Sequence, residues 1–245
     1  METITAPAMT AEEFNVISDV FSQAITGELI GMSNFASLAE TIDDAHEKME
    51  AVEHANSERM HAEGFLAYAK KNKLKININL NSTYWGNVRK QFLAYAAKKD
   101  FIACLIIQEV MLESFAVSMY TDTGKALGGE AGDLFLRIAE EEKEHLEHSS
   151  DILRAEFKKD PPGFLSKFEE LHFNCMTILA EFSATIDLRG HCGVCNGDCM
   201  KGSLHHINLD IVSMRGNAFA LYTEALDNIG IPGEKSIVWI ANLPA

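Results

Sequence analysis

The chain has 245 residues and a formal charge of −15, from 21 Lys and Arg against 36 Asp and Glu. Such an acidic balance argues against nucleic acid or an anionic membrane surface as partner, because both are held by clustered Lys and Arg. A hydrophobic share of 47% excludes global disorder, and the length suits one large domain, expected over 1–245.

Met1–Thr10 has no basic region followed by an apolar core, so no secretory leader is expected. No purely apolar stretch is long enough to read as a transmembrane helix. Five cysteines in such a chain suit reduced thiols and a cytoplasmic setting. The five prolines, at 7, 161, 162, 232 and 244, interrupt none of the long periodic stretches. The first helix is expected over Thr10–Thr41, with Thr10 and Glu13 at capping-box spacing. Phe14, Ile17, Phe21, Ile25 and Glu28 follow at helical steps. A second helix is expected over Asp43–Lys71. Leu74–Leu80 alternates apolar and polar residues, but a lone strand lacks a partner, so a loop is expected. Further helices are read at Tyr84–Lys98, Asp100–Thr123, Glu130–Phe157, Phe164–Leu188 and Leu204–Ile229. Asp100–Thr123 is apolar on nearly every side, the mark of a buried central helix. Two long helices, a connection and two more long helices predict an all-α four-helix bundle with additional helices.

Two of these helices carry the same motif. Glu58-Arg59-Met60-His61 and Glu142-Lys143-Glu144-His145 both read Glu-x-x-His, which puts a carboxylate and an imidazole on one helix face. A metal pair in such a bundle also needs one Glu from each of the other two helices. Glu28 and Glu113 supply them, 30 residues before Glu58 and 29 before Glu142. Glu113 lies within an apolar run, where an unpaired carboxylate would be costly. Four carboxylates also balance the charge of two ferrous ions. Oxygen-rich ligation with two imidazoles suits iron, or manganese, over thiolate-seeking metals.

These residues, together with their surroundings, resemble the aldehyde-deformylating oxygenases (aldehyde decarbonylases) among the ferritin-like di-iron proteins. The resemblance runs from about Phe14 to Ile229 and is carried by Thr26-Gly27-Glu28, Glu58 to Phe65, Cys104 to Gln108, Leu112 to Ala116, Glu142 to Leu146 and Leu221 to Glu224. It implies that Glu28, Glu58, His61, Glu113, Glu142 and His145 ligate two irons. It implies an O2-dependent reaction that turns a fatty aldehyde into a shorter hydrocarbon plus formate. Electrons would come from a ferredoxin and ferredoxin-reductase type donor. Gln108 and Tyr120 match polar residues around the family's metal ligands. Phe35 and Met60 stand where the family has a Tyr and an Arg. Those changes raise N-oxygenation of an amine or hydrazine as an alternative reaction, and ferritin-type iron storage is a further one.

Ile25, Phe35, Phe65, Phe115 and Met119 flank the ligands and read either as pocket walls or as plain core. The Gly-rich loop at about 190–203 carries Cys192, Cys195 and Cys199, with His205 beyond it. Three thiolates and an imidazole could hold zinc, three thiolates an iron–sulfur cluster, and Cys192 with Cys195 a redox pair. Ordinary reduced cysteines are the remaining reading.

Overall fold

A computed structural model of the protein describes residues 9–186 and 190–244. The expected absence of a leader at Met1–Thr10 therefore falls largely outside the described residues, as does the expected helix end at Leu188. Among the described residues every regular element is helical.

Helix α1 spans Ala11–Leu38 and opens on the expected capping box. The Thr10 hydroxyl accepts from the Glu13 amide at 3.1 Å, and the Glu13 carboxylate accepts from the Thr10 amide at 2.7 Å. Two donors that the helix leaves unpaired are thereby satisfied. Helix α2 (Ala45–Lys71) is capped by Asp44, whose carboxylate accepts from the His46 and Glu47 amides. The segment after it is a loop, laid along α1. The Lys75 and Asn77 amides donate to the Ser18 and Ser22 hydroxyls at 3.1 and 3.0 Å. Its alternating pattern thus reflects docking onto a helix rather than pairing in a sheet.

After α3 (Thr83–Ala96), the chain enters α4 (Phe101–Leu127). By length and composition α4 could cross a membrane, yet its most apolar stretch is 83% buried within the fold, which accounts for its apolar character. Its middle, Ile106–Leu112, is a π-helical turn. Such turns are wide, bring residues five apart onto one face, and occur often at functional sites. Gly128 and Gly129, at φ 59° and 54°, connect α4 to α5 (Gly129–Lys159). Residues with a Cβ rarely adopt that conformation.

Helix α6 occupies 161–182, with a second π turn at His172–Met176. It starts earlier than the periodicity predicts. Both prolines sit in its first turn, where no amide is required, and Asp160 caps it through the Gly163 amide. The next helix, α7 (Ile211–Ile229), starts later than the expected Leu204. Leu204–Ile207 forms only a 3-10 turn, Asn208 breaks the chain at φ 58°, and Asp210 caps anew. A last helix, α8 (Gly233–Ala241), docks through Trp239. That indole stacks on Phe168 at 5.7 Å and donates to Glu169 at 2.7 Å.

The hairpins α1–α2 and α4–α5 form the four-helix bundle, and α7 packs on α4 and α5. One core cluster holds Phe35, Phe92, Leu112, Phe115 and Trp239. The other is built on the Phe21, Phe65 and Phe135 rings, with Tyr120 at its edge. Fully buried aromatics of this kind each contribute about 3–5 kcal/mol against truncation to Ala. Both clusters adjoin a band of buried Glu and His.

Candidate dinuclear metal centre

The structure brings all six expected ligands together. Glu28, Glu58, His61 and Glu142 form one group, and Glu58, Glu113, Glu142 and His145 a second; within each, one donor atom per residue lies within 4.8 Å of the others. Glu58 and Glu142 belong to both groups, so the two groups share two carboxylates. His61 Nδ1 lies 3.2 Å from Glu28 and 3.0 Å from Glu142. His145 Nδ1 lies 2.8 Å from Glu142 and 3.6 Å from Glu58. None of the six is more than 4% exposed.

The electrostatics are those of a site built for cations. Burial, with the Glu142 charge nearby, raises the Glu28 carboxyl, and raises Glu58 well above the usual range. Glu113 is raised well for the same two reasons. Glu142 goes the other way, to about 2, because the His145 and His61 imidazoles outweigh its burial. Burial would lower His61, but Glu142 and Glu28 hold it at about 11. Protons thus neutralise the cluster where cations otherwise would. Glu58 Oε1 is buried without a hydrogen-bond partner, and His145 Nδ1 and Glu142 Oε2, though 2.8 Å apart as an ion pair, lack hydrogen-bond geometry. Leaving such atoms unpaired is expensive, and metal coordination is the pairing that this donor set fits.

Neighbouring residues fix the ligands. Gln108 Nε2 donates to Glu113 at 2.7 Å, a contact between residues five apart that the π turn allows. Gln108 in turn accepts from Asn34 Nδ2 at 2.8 Å. The Tyr120 hydroxyl donates to Glu28 Oε1. Gly31 is buried facing Glu58, where a Cβ would come within 2.7 Å of Oε2. Glu141, which the sequence motifs do not reveal, sits 2.8 Å from His61 Nε2 and is held by Arg137 at 2.9 Å. A carboxylate behind a ligating imidazole fixes its tautomer and orientation. Asn34 is also missed by motif reading; its one signal is a polar residue within the buried stripe of α1.

Phe35, in place of a family Tyr, packs edge-on against His145 and His54 at 5.3 and 5.1 Å. It leaves that side of His145 apolar. Met60 is 57% exposed. Cys104 is fully buried, and burial pushes its thiol up to about 12, the behaviour of a small core residue.

A cavity of about 150 Å³ is lined in part by Glu28, Glu58, Glu113 and Glu142. Its walls include Val20, Ala24, Ile30, Leu112, Phe115 and Met119. Of the expected wall residues, Phe115 and Met119 line it, whereas Ile25, Phe35 and Phe65 are core. Gln23, Trp85, Met200 and Lys201 also line it, so the end of the Cys-rich loop forms part of the wall.

That loop is tied down by Asn196, which donates to Asp19 at 2.8 Å, and by Asn77, which donates to the Val194 carbonyl at 2.8 Å. Gln23 Nε2 points at the Cys192 and Cys195 sulfurs, at 3.4 and 3.9 Å. A hydrogen bond from Cys195 holds the Cys192 thiol at about 5. None of the five cysteines is in a disulfide. No cysteine joins a candidate metal group among the described residues, and His205 is exposed, its ring against His206 at 4.1 Å. Nothing in this arrangement supports the expected zinc or iron–sulfur centre.

A bundle whose helices converge carboxylates and imidazoles on one buried point is the ferritin-like architecture. The profile of the family described as long-chain fatty aldehyde decarbonylase matches residues 13–166, and the chain belongs to that family. The matched span covers the four bundle helices except the first two residues of α1; the Cys-rich loop, α7 and α8 lie beyond it. Among solved structures, a Synechococcus protein described as having aldehyde deformylating oxidase activity superposes with a TM-score of 0.78 at 18% identity. The alignment covers 95% of this chain and 98% of that one.

Proposed function

We propose that the protein is an O2-dependent, non-haem di-iron oxygenase that removes the formyl carbon of an aliphatic aldehyde. The observation that carries this reading is the pair of shared carboxylates, Glu58 and Glu142, in the wall of a largely apolar cavity. The reaction balances as aldehyde, O2, four electrons and four protons giving the hydrocarbon one carbon shorter, formic acid and water. A ferredoxin-type donor would supply the electrons.

Glu28, Glu58, His61, Glu113, Glu142 and His145 would hold the two irons, with Glu58 and Glu142 placed to bridge. When bound, the metals would supply the redox chemistry that reduces O2. The protein's own part is positioning and exclusion of water. Tyr120 and Gln108 hold Glu28 and Glu113 through hydrogen bonds. Burial and the Glu28 charge raise the Tyr120 phenol well above its ordinary value, so it remains a donor. Phe115, Met119 and Leu112 would take the alkyl tail, and the largely apolar lining would disfavour bulk water beside it. A cavity of about 150 Å³ suits a short or medium chain. An apolar approach favours an organic substrate over iron storage, and no feature of the site favours nitrogen over carbon as the atom attacked. A cytoplasmic setting, with reductant at hand, fits cysteines that form no disulfide.

The test is an aerobic, reductant-fed assay of iron-loaded protein on a medium-chain aldehyde, scoring formate and hydrocarbon together. Equal amounts of both are expected. O2 consumption with neither product would refute deformylation and turn the search to amines and hydrazines.

A further inference from the structure

One helical turn beyond the pair, the same helices present a second ring of ligand-type side chains. His54 precedes Glu58 by four residues on α2, Glu109 precedes Glu113 by four on α4, and His148 follows His145 by three on α5. The offsets point the same way in space because α5 runs against α2 and α4. One donor atom from each of His54, Glu109 and His148 lies within 4.8 Å of the other two. Glu109 receives His148 Nδ1 at 3.0 Å on one oxygen, and faces His54 Nδ1 at 3.6 Å on the other. That last distance is too long for a hydrogen bond, and His54 Nδ1 is buried without a partner. Glu109 itself is 1% exposed. On the outer side, Glu47 lies 3.4 Å from His148 Nε2, and both side chains are about one-third exposed, at 32% and 27%. On the inner side the His54 ring lies 4.2 Å from that of His145.

Two imidazoles and one buried carboxylate, converging with one face toward solvent, form a donor set for a mononuclear divalent transition metal with open positions. A solvated charge cluster would not bury its carboxylate, and a simple ion pair would not leave an imidazole nitrogen unpaired beside it. We propose that His54, Glu109 and His148 form a third metal site, about one turn (5.4 Å) of helix from the Glu58, Glu113 and His145 end of the pair. Glu47 stands at its entrance as a further carboxylate.

Metal counting tests this directly. Apo-protein is equilibrated anaerobically with Co(II), and bound metal is measured by elemental analysis after dialysis. Three equivalents per chain are expected, falling to two in His148→Ala. His148 is partly exposed, so this variant should fold; circular dichroism and the melting temperature check it. Glu109→Gln, a second route to the same loss, should also bind two. In His61→Ala/His145→Ala, which disables the pair, one equivalent should persist and disappear when His148→Ala is added. The same stoichiometry in folded His148→Ala as in the parent would overturn the third site. A parent that binds one equivalent, abolished by His148→Ala, would uphold the third site and overturn the pair.

Discussion

Replacing Gly31 by Ala puts the smallest available pressure on the metal centre. The new methyl would stand 2.7 Å from Glu58 Oε2 and 2.8 Å from its carboxyl carbon, where ordinary contact begins at 3.4 Å. Glu58 must therefore retreat by about 0.7 Å at the oxygen. Metal–ligand distances tolerate only about 0.2 Å, and Glu58 belongs to both donor groups. Affinity for both ions should fall at least about 100-fold, more than the 10- to 100-fold typical of losing a group behind a ligand. The fold should barely notice. Overpacking costs about 1–3 kcal/mol, and Ala is about 1 kcal/mol better than Gly within a helix. Anaerobic Co(II) titration and melting curves, with and without metal, separate the two effects. An apo melting temperature near that of the parent, with metal-induced stabilisation lost, is expected. Undiminished affinity for two ions in Gly31→Ala would show that Glu58 is not a shared ligand.

Other predictions concern the neighbours of the pair. His61 holds its proton up to about pH 11, yet must be neutral to ligate, so loading the pair releases protons and affinity rises with pH between 6 and 8. Titrating Zn(II) into weakly buffered apo-protein with a pH indicator should show acidification, and none would count against His61 as a ligand. Tyr120→Phe leaves Glu28 without its donor and should cost 10- to 100-fold in metal affinity or turnover at a similar melting temperature; unaltered affinity and turnover would reduce Tyr120 to a core residue. Serine at all three of Cys192, Cys195 and Cys199 should leave bound metal unchanged, and loss of an equivalent would restore a metal role to the loop.

The centre was legible because its chemistry imposes spacing. Glu58 with His61, and Glu142 with His145, are three apart on long helices, and the buried run around Glu113 made an unpaired carboxylate implausible. Helix ends set by local caps were legible too, as at Thr10. Where tertiary contacts decide, periodicity misled: Leu204–Ile207 is apolar enough to extend α7, but Asn208 and Asp210 restart the chain. Leu74–Leu80 looks half like a strand because alternate amides dock on α1 serines. Glu141, Asn34 and His54 escaped motif reading, and Glu109 and His148, one turn from Glu113 and His145, read as background spacing, since the residues that give them meaning come from other helices. The cysteines are the opposite case, a sequence signal that no candidate metal group among the described residues takes up. Close spacing suggested a metal site, while the fold uses the loop to complete a cavity wall.

Anomalous diffraction from crystals of the protein loaded anaerobically with Fe(II) tests the central claim most directly. The account predicts two iron peaks between α1, α2, α4 and α5, with Glu58 and Glu142 contacting both. A single peak, or a pair that Glu58 and Glu142 do not bridge, would contradict it.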